Sequence, residues 1–268
     1  MNYKYNLCFL LNTNQWLNNL MCLRFGFLIA SFCLFVLLFH ADARSQSKFE
    51  MNVSAFYGIP QLETYGDKVD FTLLNEVITI GGKRLMISDN FGTTYGFGFN
   101  ISTSYNLFKT NYVKILGGLG YSQFQSKYDA GDGFSYGTRL NIFSVGAGLQ
   151  LNPVGMHKFY PSIVGLFRFN EVGGESFYKA GEDFFIVSPR FGISTGLDLN
   201  YKFNKRVGLC IGARYNYDNL LNKQAQETVF ADDHVIVFRD LMSPTNGLEH
   251  NRRVAYISIL TGINIYFK

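Results

Sequence analysis

The stretch YGFGFNISTSYNL, Tyr95 to Leu107, decides how this chain folds. Its odd positions are Tyr95, Phe97, Phe99, Ile101, Thr103, Tyr105 and Leu107; its even positions are Gly96, Gly98, Asn100, Ser102, Ser104 and Asn106. An extended strand points successive side chains to opposite faces, so one face is apolar with aromatic ends and the other is small and polar. No helical period sorts these residues so cleanly.

The same alternation recurs. Arg190 to Asn204 places Phe191, Ile193, Thr195, Leu197, Leu199, Tyr201 and Phe203 on one face, and Val207 to Asp218 and Ala255 to Phe267 repeat it. Four weaker segments, Phe49 to Gly58, Tyr112 to Phe124, Arg139 to Leu151 and Lys158 to Asn170, complete a set of eight predicted strands. Short connections (108–111, 152–157, 205–206) alternate strictly with long ones (59–94, 125–138, 171–189, 219–254). Antiparallel neighbours then share all long loops at one end and all short turns, with both termini, at the other. The reading is an all-β, transmembrane, antiparallel up-and-down β-barrel. Glu76 to Ser88 reads as a hairpin around Gly81-Gly82, and Val229 to Phe238 as another around Asp232-Asp233. A ten-strand barrel is therefore the alternative to eight.

Composition agrees with a surface that does not face water alone. Of 268 residues, 47% are hydrophobic, 17% aromatic and only 16% charged, against about 25% charged in soluble domains. Arg24 precedes the apolar run FGFLIASFCLFVLLF (Phe25 to Phe39), and His40-Ala41-Asp42-Ala43 follows it. This is the pattern of a signal peptide cut after Ala43, too short for a spanning helix. Residues 1–43 are read as signal, with Met21 as an alternative start, and 44–268 as the barrel domain. Removing 1–43 takes away Lys4, Arg24 and Asp42, leaving a net charge of 22 − 19 = +3. Without a Lys/Arg cluster that excludes nucleic acid as a partner. Cys8, Cys22 and Cys33 leave with the signal, so Cys210 remains without a disulfide partner. No later apolar run can span a membrane as a helix, and only closed barrels otherwise satisfy the backbone in lipid.

Over residues 48–268 the chain resembles the small bacterial outer-membrane β-barrel family, OmpA-like and OmpX-like. The resemblance is carried by the signal sequence, the alternating segments, the loop asymmetry and the ending INIYFK. Members of that family commonly end on an aromatic residue that is read during barrel insertion; here Phe267 is followed by Lys268. The resemblance implies a bacterial outer-membrane location, with outer-membrane lipid and the barrel-insertion machinery as partners and an extracellular ligand reached through the loops.

The predicted inward set contains Glu50, Lys114, Arg168, Arg190, Asp198, Lys202, Arg214 and Asp218. An eight-stranded barrel is only wide enough to be filled by side chains, so these charges read as an interior salt-bridge network, with a gate for solute as the alternative. Outward Tyr57, Tyr95, Tyr105, Tyr121, Tyr201, Tyr215, Tyr217 and Phe267 fall near strand ends and read as aromatic girdles at the two lipid interfaces. No catalytic, cofactor or metal site is expected. His157, His234 and His250 lie in connections, away from any outward Ser. The expected role is non-enzymatic, structural or surface-interacting through the long loops. The alternatives are a narrow, porin-like pore, a lipid-modifying enzyme or a soluble ligand-binding barrel.

Overall fold

The computed structural model describes residues 49–65, 77–80, 83–86, 91–108, 112–129, 135–154, 158–178, 181–221, 235–236, 241–242, 249–250 and 253–267. The expected signal segment, 1–43, lies outside them.

Eight long strands form the wall: β1 Phe49–Gln61, β2 Tyr95–Asn106, β3 Val113–Asp129, β4 Ser135–Leu151, β5 Phe159–Tyr178, β6 Gly181–Lys202, β7 Val207–Leu221 and β8 Ala255–Phe267. Each pairs antiparallel with its neighbours in sequence, and β1 pairs with β8, so the sheet closes on itself. Closure removes every edge, which makes such a sheet tolerable in lipid. The expected eight-stranded up-and-down barrel is the observed fold. None of the described residues forms a helix long and apolar enough to cross a membrane.

Register fixes the barrel's shape. Partners run from Phe49 through Tyr105, Ile115, Leu149, Gly165, Thr195, Tyr215 and Ile257 back to β1 at Ile59. The stagger is therefore 59 − 49 = 10 residues. With eight strands this implies a tilt of about 40° and an interior just filled by side chains. All outward positions on this path are odd-numbered, so even positions point inward on every strand. Ten residues along a strand tilted in this way rise about 25 Å, the height of a lipid-facing apolar band.

Burial is inverted relative to a soluble protein. Outward Leu197 is 61% exposed, Phe97 54% and Ile263 53%, whereas inward Arg190 and Asp218 are 0% exposed.

Two connections differ from expectation. The sequence pattern makes 125–138 and 171–189 loops, yet β3 and β4 pair up to Asp129 with Ser135, and β5 and β6 up to Tyr178 with Gly181. The strands run to 17, 17, 20 and 22 residues. Their outer parts, such as SKYD and EVGGESFY, lack apolar–polar alternation because neither face meets lipid there. Ladder hydrogen bonding continues the strands. The Val172–Gly174 step carries a register shift in this extension.

The hairpin expected around Gly81-Gly82 is present: Val77–Ile80 pairs antiparallel with Lys83–Met86. It does not enter the wall. Val235–Ile236 lies parallel between Lys83–Met86 and Phe184-Phe185 of β6, so these short strands add to the extension and the barrel count stays at eight. The rest of the hairpin expected within 229–238 lies outside the described residues. Leu241–Met242 and Glu249–His250 form a separate two-stranded pair.

Candidate functional site: the barrel interior and its two rims

The lumen is built in layers by the even-numbered side chains. Nearest the short turns, Tyr160 and Tyr266 meet hydroxyl to hydroxyl at 3.2 Å. Lys202 lies over both rings, 5.3 Å and 5.0 Å from their centroids. Lys202 was expected within the ion-pair network; the structure places it over these rings as part of the barrel floor.

Above it runs a chain of amides and hydroxyls. Asn52 donates to Asn264 (2.6 Å), Asn264 to Asn200 (2.8 Å), Asn200 to Ser162 (2.9 Å) and Ser162 to Asn152 (2.8 Å). Gln150 donates to both Ser162 and Asn152 at 3.1 Å. Five strands are tied by groups that each satisfy another, as buried polar atoms require.

Three ion pairs cross this lumen. Lys114 pairs with Glu50. Arg214 grips Asp198 with Nη2 to Oδ2 at 2.6 Å and Nε to Oδ1 at 3.3 Å, a two-point contact that only a guanidinium makes. Arg168 lies 3.0 Å from Asp218 and donates to Ser144 (2.5 Å), Asn216 (2.9 Å) and Tyr256 (3.2 Å). It thereby joins β5 to β4, β7 and β8. Arg190, the largest fully buried side chain, donates to the Pro189 carbonyl at 3.0 Å. Of the eight predicted inward charges, six form these pairs, Arg190 lies buried near the long-loop rim and Lys202 lies at the floor.

The upper lumen departs from the polar interior expected from sequence. Phe56, Phe124, Leu140, Ile142, Val172, Tyr256 and Leu260 are all buried in one apolar cluster. Tyr256 packs on Phe124 with ring centroids 4.5 Å apart and stacks on Phe56 at 6.2 Å. Glycine makes room for these rings: a Cβ on Gly96 would lie 2.3 Å from Phe124 Cδ1, and one on Gly98 would lie 2.3 Å from Phe56 Cζ. Even-position aromatics facing even-position glycines on a neighbouring strand were the sequence signal for this layer. It is invisible until the register is known.

The long-loop mouth is capped by chain near β1 and β2. The 3-10 turn Leu62–Thr64 begins at Leu62 with φ 55°, a left-handed conformation a leucine rarely adopts. It brings Thr64 inward, where its hydroxyl accepts from the Ala255 amide at 2.7 Å and its carbonyl accepts from Thr93 Oγ1 at 2.5 Å. The Phe91 amide donates to the Glu63 carbonyl at 2.7 Å, and the Phe91 ring is fully buried in the apolar cluster. Ser126 donates to the Gly92 carbonyl. Outside this cap, Arg253 grips Glu63 at 2.5 and 2.8 Å. That carboxylate raises the guanidinium further above its ordinary value.

A small cavity lies among the side chains of the lower lumen. Its volume is about 10 Å³ and its lining includes Glu50, Asn52, Asp198, Asn200, Cys210 and Arg214, room for about one water. Among the described residues no three His, Cys, Asp or Glu side chains converge as metal ligands.

The predicted girdle residues all face outward and fall into two tiers. Tyr105, Tyr201 and Phe267 lie toward the short turns, where Phe49 meets Phe267 at 5.4 Å and Tyr201 meets Phe203 at 5.3 Å. Tyr57, Tyr95, Tyr121, Tyr215 and Tyr217 lie toward the long loops. There Phe97 contacts Tyr57 (5.4 Å) and Tyr95 (5.7 Å), and Phe143 contacts Tyr121 (4.7 Å). Phe49 and Phe203 join Phe267 in the short-turn tier, and Phe97 and Phe143 join the tyrosines of the long-loop tier, beyond the girdle expected from sequence.

An exposed apolar wall, a packed polar and aromatic interior, and long loops gathered at one end define an eight-stranded transmembrane β-barrel. No family model and no curated protein matches the chain. Among solved structures, the chain is similar to Neisserial surface protein A at 14% identity, covering 83% of this chain and 100% of that one, with a TM-score of 0.44. It is also similar to Ail of Yersinia pestis in complex with a heparin analogue (14%, 82% and 99%, 0.39). A third likeness is the N-terminal β-barrel domain of Pseudomonas aeruginosa OprF (10%, 83% and 100%, 0.38).

Proposed function

We propose that the exported chain is a bacterial outer-membrane protein whose barrel is a closed anchor, and whose role is surface interaction through the structures on its long-loop side. The observation carrying this reading is the filled lumen: apolar rings above, three ion pairs and an amide chain below, with a cavity of about 10 Å³ among the latter. What remains free for interaction is the extension of β3 to β6. At about 3.3 Å per residue, the ten residues from Arg168 to Tyr178 carry β5 some 33 Å along its axis beyond the Arg168 layer. The reading is non-catalytic: the outward face of the wall carries hydrocarbons and phenols, and the lumen ion pairs are buried.

Planar-bilayer recording of the purified barrel is expected to show no stepwise conductance. Defined steps abolished by Asp198→Ala or Arg214→Ala would replace the anchor with a narrow pore. Protease added to intact cells is expected to cut within 59–94 or 219–254; protection of both would reverse the topology. Signal removal after Ala43 belongs to the same proposal and is read from the N-terminus of the membrane-fraction protein.

A further inference from the structure

Charge is distributed very unevenly between the two ends of this barrel. The long-loop parts of the chain (62–94, 125–139, 171–189 and 219–254) contain 10 Lys/Arg and 16 Asp/Glu, a balance of 10 − 16 = −6. The short connections (107–112, 152–158 and 203–206) contain Lys109, Lys158, Lys205 and Arg206 and no carboxylate. The barrel is thus negative where it projects and positive where its turns lie.

The described cations at the short-turn end are held together by backbone. Asn204 accepts from the amides of Arg206 (2.7 Å) and Val207 (2.9 Å), closing the β6–β7 turn with Lys205 and Arg206 at its tip. The Arg206 carbonyl accepts from the Tyr266 amide of β8 at 2.8 Å, and the Lys158 carbonyl accepts from the Lys202 amide at 2.7 Å. Lys158, Lys205 and Arg206 are therefore brought side by side from three strand ends, all exposed. Directly outward of them lie Phe159 (58% exposed), Phe203 (60%) and Tyr201, whose ring has Lys158 Nζ 5.5 Å from its centroid. Rings suited to the acyl boundary thus stand beside cations, and the short connections contribute no Asp or Glu.

We propose that this rim is a binding surface for the headgroups of anionic glycerophospholipids in the leaflet on the short-turn side. Lys158, Lys205 and Arg206 meet the phosphodiester and Phe159, Tyr201 and Phe203 meet the upper acyl chains. Opposite charge near a membrane surface attracts in this way, and guanidinium and ammonium groups are the usual phosphate partners. The inference rests on the membrane-spanning reading above. The long-loop parts of the chain carry the opposite balance, −6.

The test is native mass spectrometry of the full-length exported chain, released from detergent after incubation with equimolar phosphatidylglycerol and phosphatidylcholine. Phosphatidylglycerol is expected to be retained preferentially, with the preference falling about fivefold for each cation removed in Lys158→Gln, Lys205→Gln and Arg206→Gln, and shrinking at high salt. Arg139→Gln, on the long-loop side, should leave it unchanged. Equal retention of the two lipids by the wild type, or an unaltered preference in the triple variant, would overturn the proposal. So would complete displacement of the lipid by inorganic phosphate, which would make the rim a free-anion site. Heat-modifiable migration on gels confirms that each variant is folded. A chain that fails to enter vesicles at all would instead defeat the membrane reading, separating the two failures.

Discussion

Replacing Arg168 by Met is expected to lower the unfolding free energy by about 3–5 kcal/mol, measured by urea titration of the barrel in vesicles. Arg168 is 7% exposed and Asp218 is not exposed at all. The substitution leaves a buried carboxylate with no cation, and it also strips Ser144, Asn216 and Tyr256 of their shared donor. The loss reflects the abandoned charge more than the pair's net worth, since two buried ions lose much of their hydration before they attract. Arg168→Met combined with Asp218→Leu should therefore recover a large part of the loss. A double variant as unstable as the single would mean that the hydrogen bonds to Ser144, Asn216 and Tyr256, and not the ion pair, hold these strands. The exposed pair Arg139–Glu175, at 2.6 Å on the outer face of the extension, should by contrast contribute within 1 kcal/mol or so when broken.

Phe124→Ala should be comparably damaging, at about 3–5 kcal/mol, because it empties the centre of the upper lumen. Phe124 is fully buried against Tyr256, and its ring edge occupies the space left by Gly58 and Gly96. The reverse change, Gly96→Ala, builds a methyl 2.3 Å from that ring and 2.9 Å from the Gln123 carbonyl. Overpacking of this kind costs about 1–3 kcal/mol. Gly96→Ala with Phe124→Leu should be milder than the sum of the two, because the smaller side chain vacates the volume the methyl needs. Strict additivity in the same titration would show that the glycine and the ring do not share a site. Phe124→Ala also tests the closed-anchor reading. Stepwise conductance in that variant, absent from the wild type, would identify the ring layer as the seal.

Much of the architecture was legible in residues 95–107 and their seven counterparts. Period-two alternation needs no tertiary information: once Phe97, Phe99 and Ile101 share a face, that face must find a hydrocarbon environment. Strict alternation of long and short connections then assigns the two ends. The strand extensions were not legible, because above the lipid band residues such as Glu171, Gly174 and Glu175 carry no facial signature, and their ladder pairing cannot be read from sequence. Within the candidate site, the inward charges could be named one by one, yet their partners could not. Whether Arg168 meets Asp198 or Asp218 depends on a stagger that no single strand encodes.

The apolar upper lumen shows the same limit from the other side. Phe56 and Phe124 occupy even positions, and along their own strands they interrupt the polar face without explanation. Across strands they fill the room beside Gly98 and Gly96, an arrangement that exists only at this register.

By itself, the order of residues determined that this chain must place one face of each strand against hydrocarbon and that its long loops lie together; the choice of eight strands over ten came from the structure. The first two are consequences of side-chain period and of the obligation to satisfy backbone in lipid. Only the tertiary structure decided which side chains fill the lumen and how its charges pair, and that Lys158, Lys205 and Arg206 form one rim. These depend on the ten-residue stagger, which sets which side chains from different strands share a height. That stagger emerges from closing the sheet and cannot be read along any one strand.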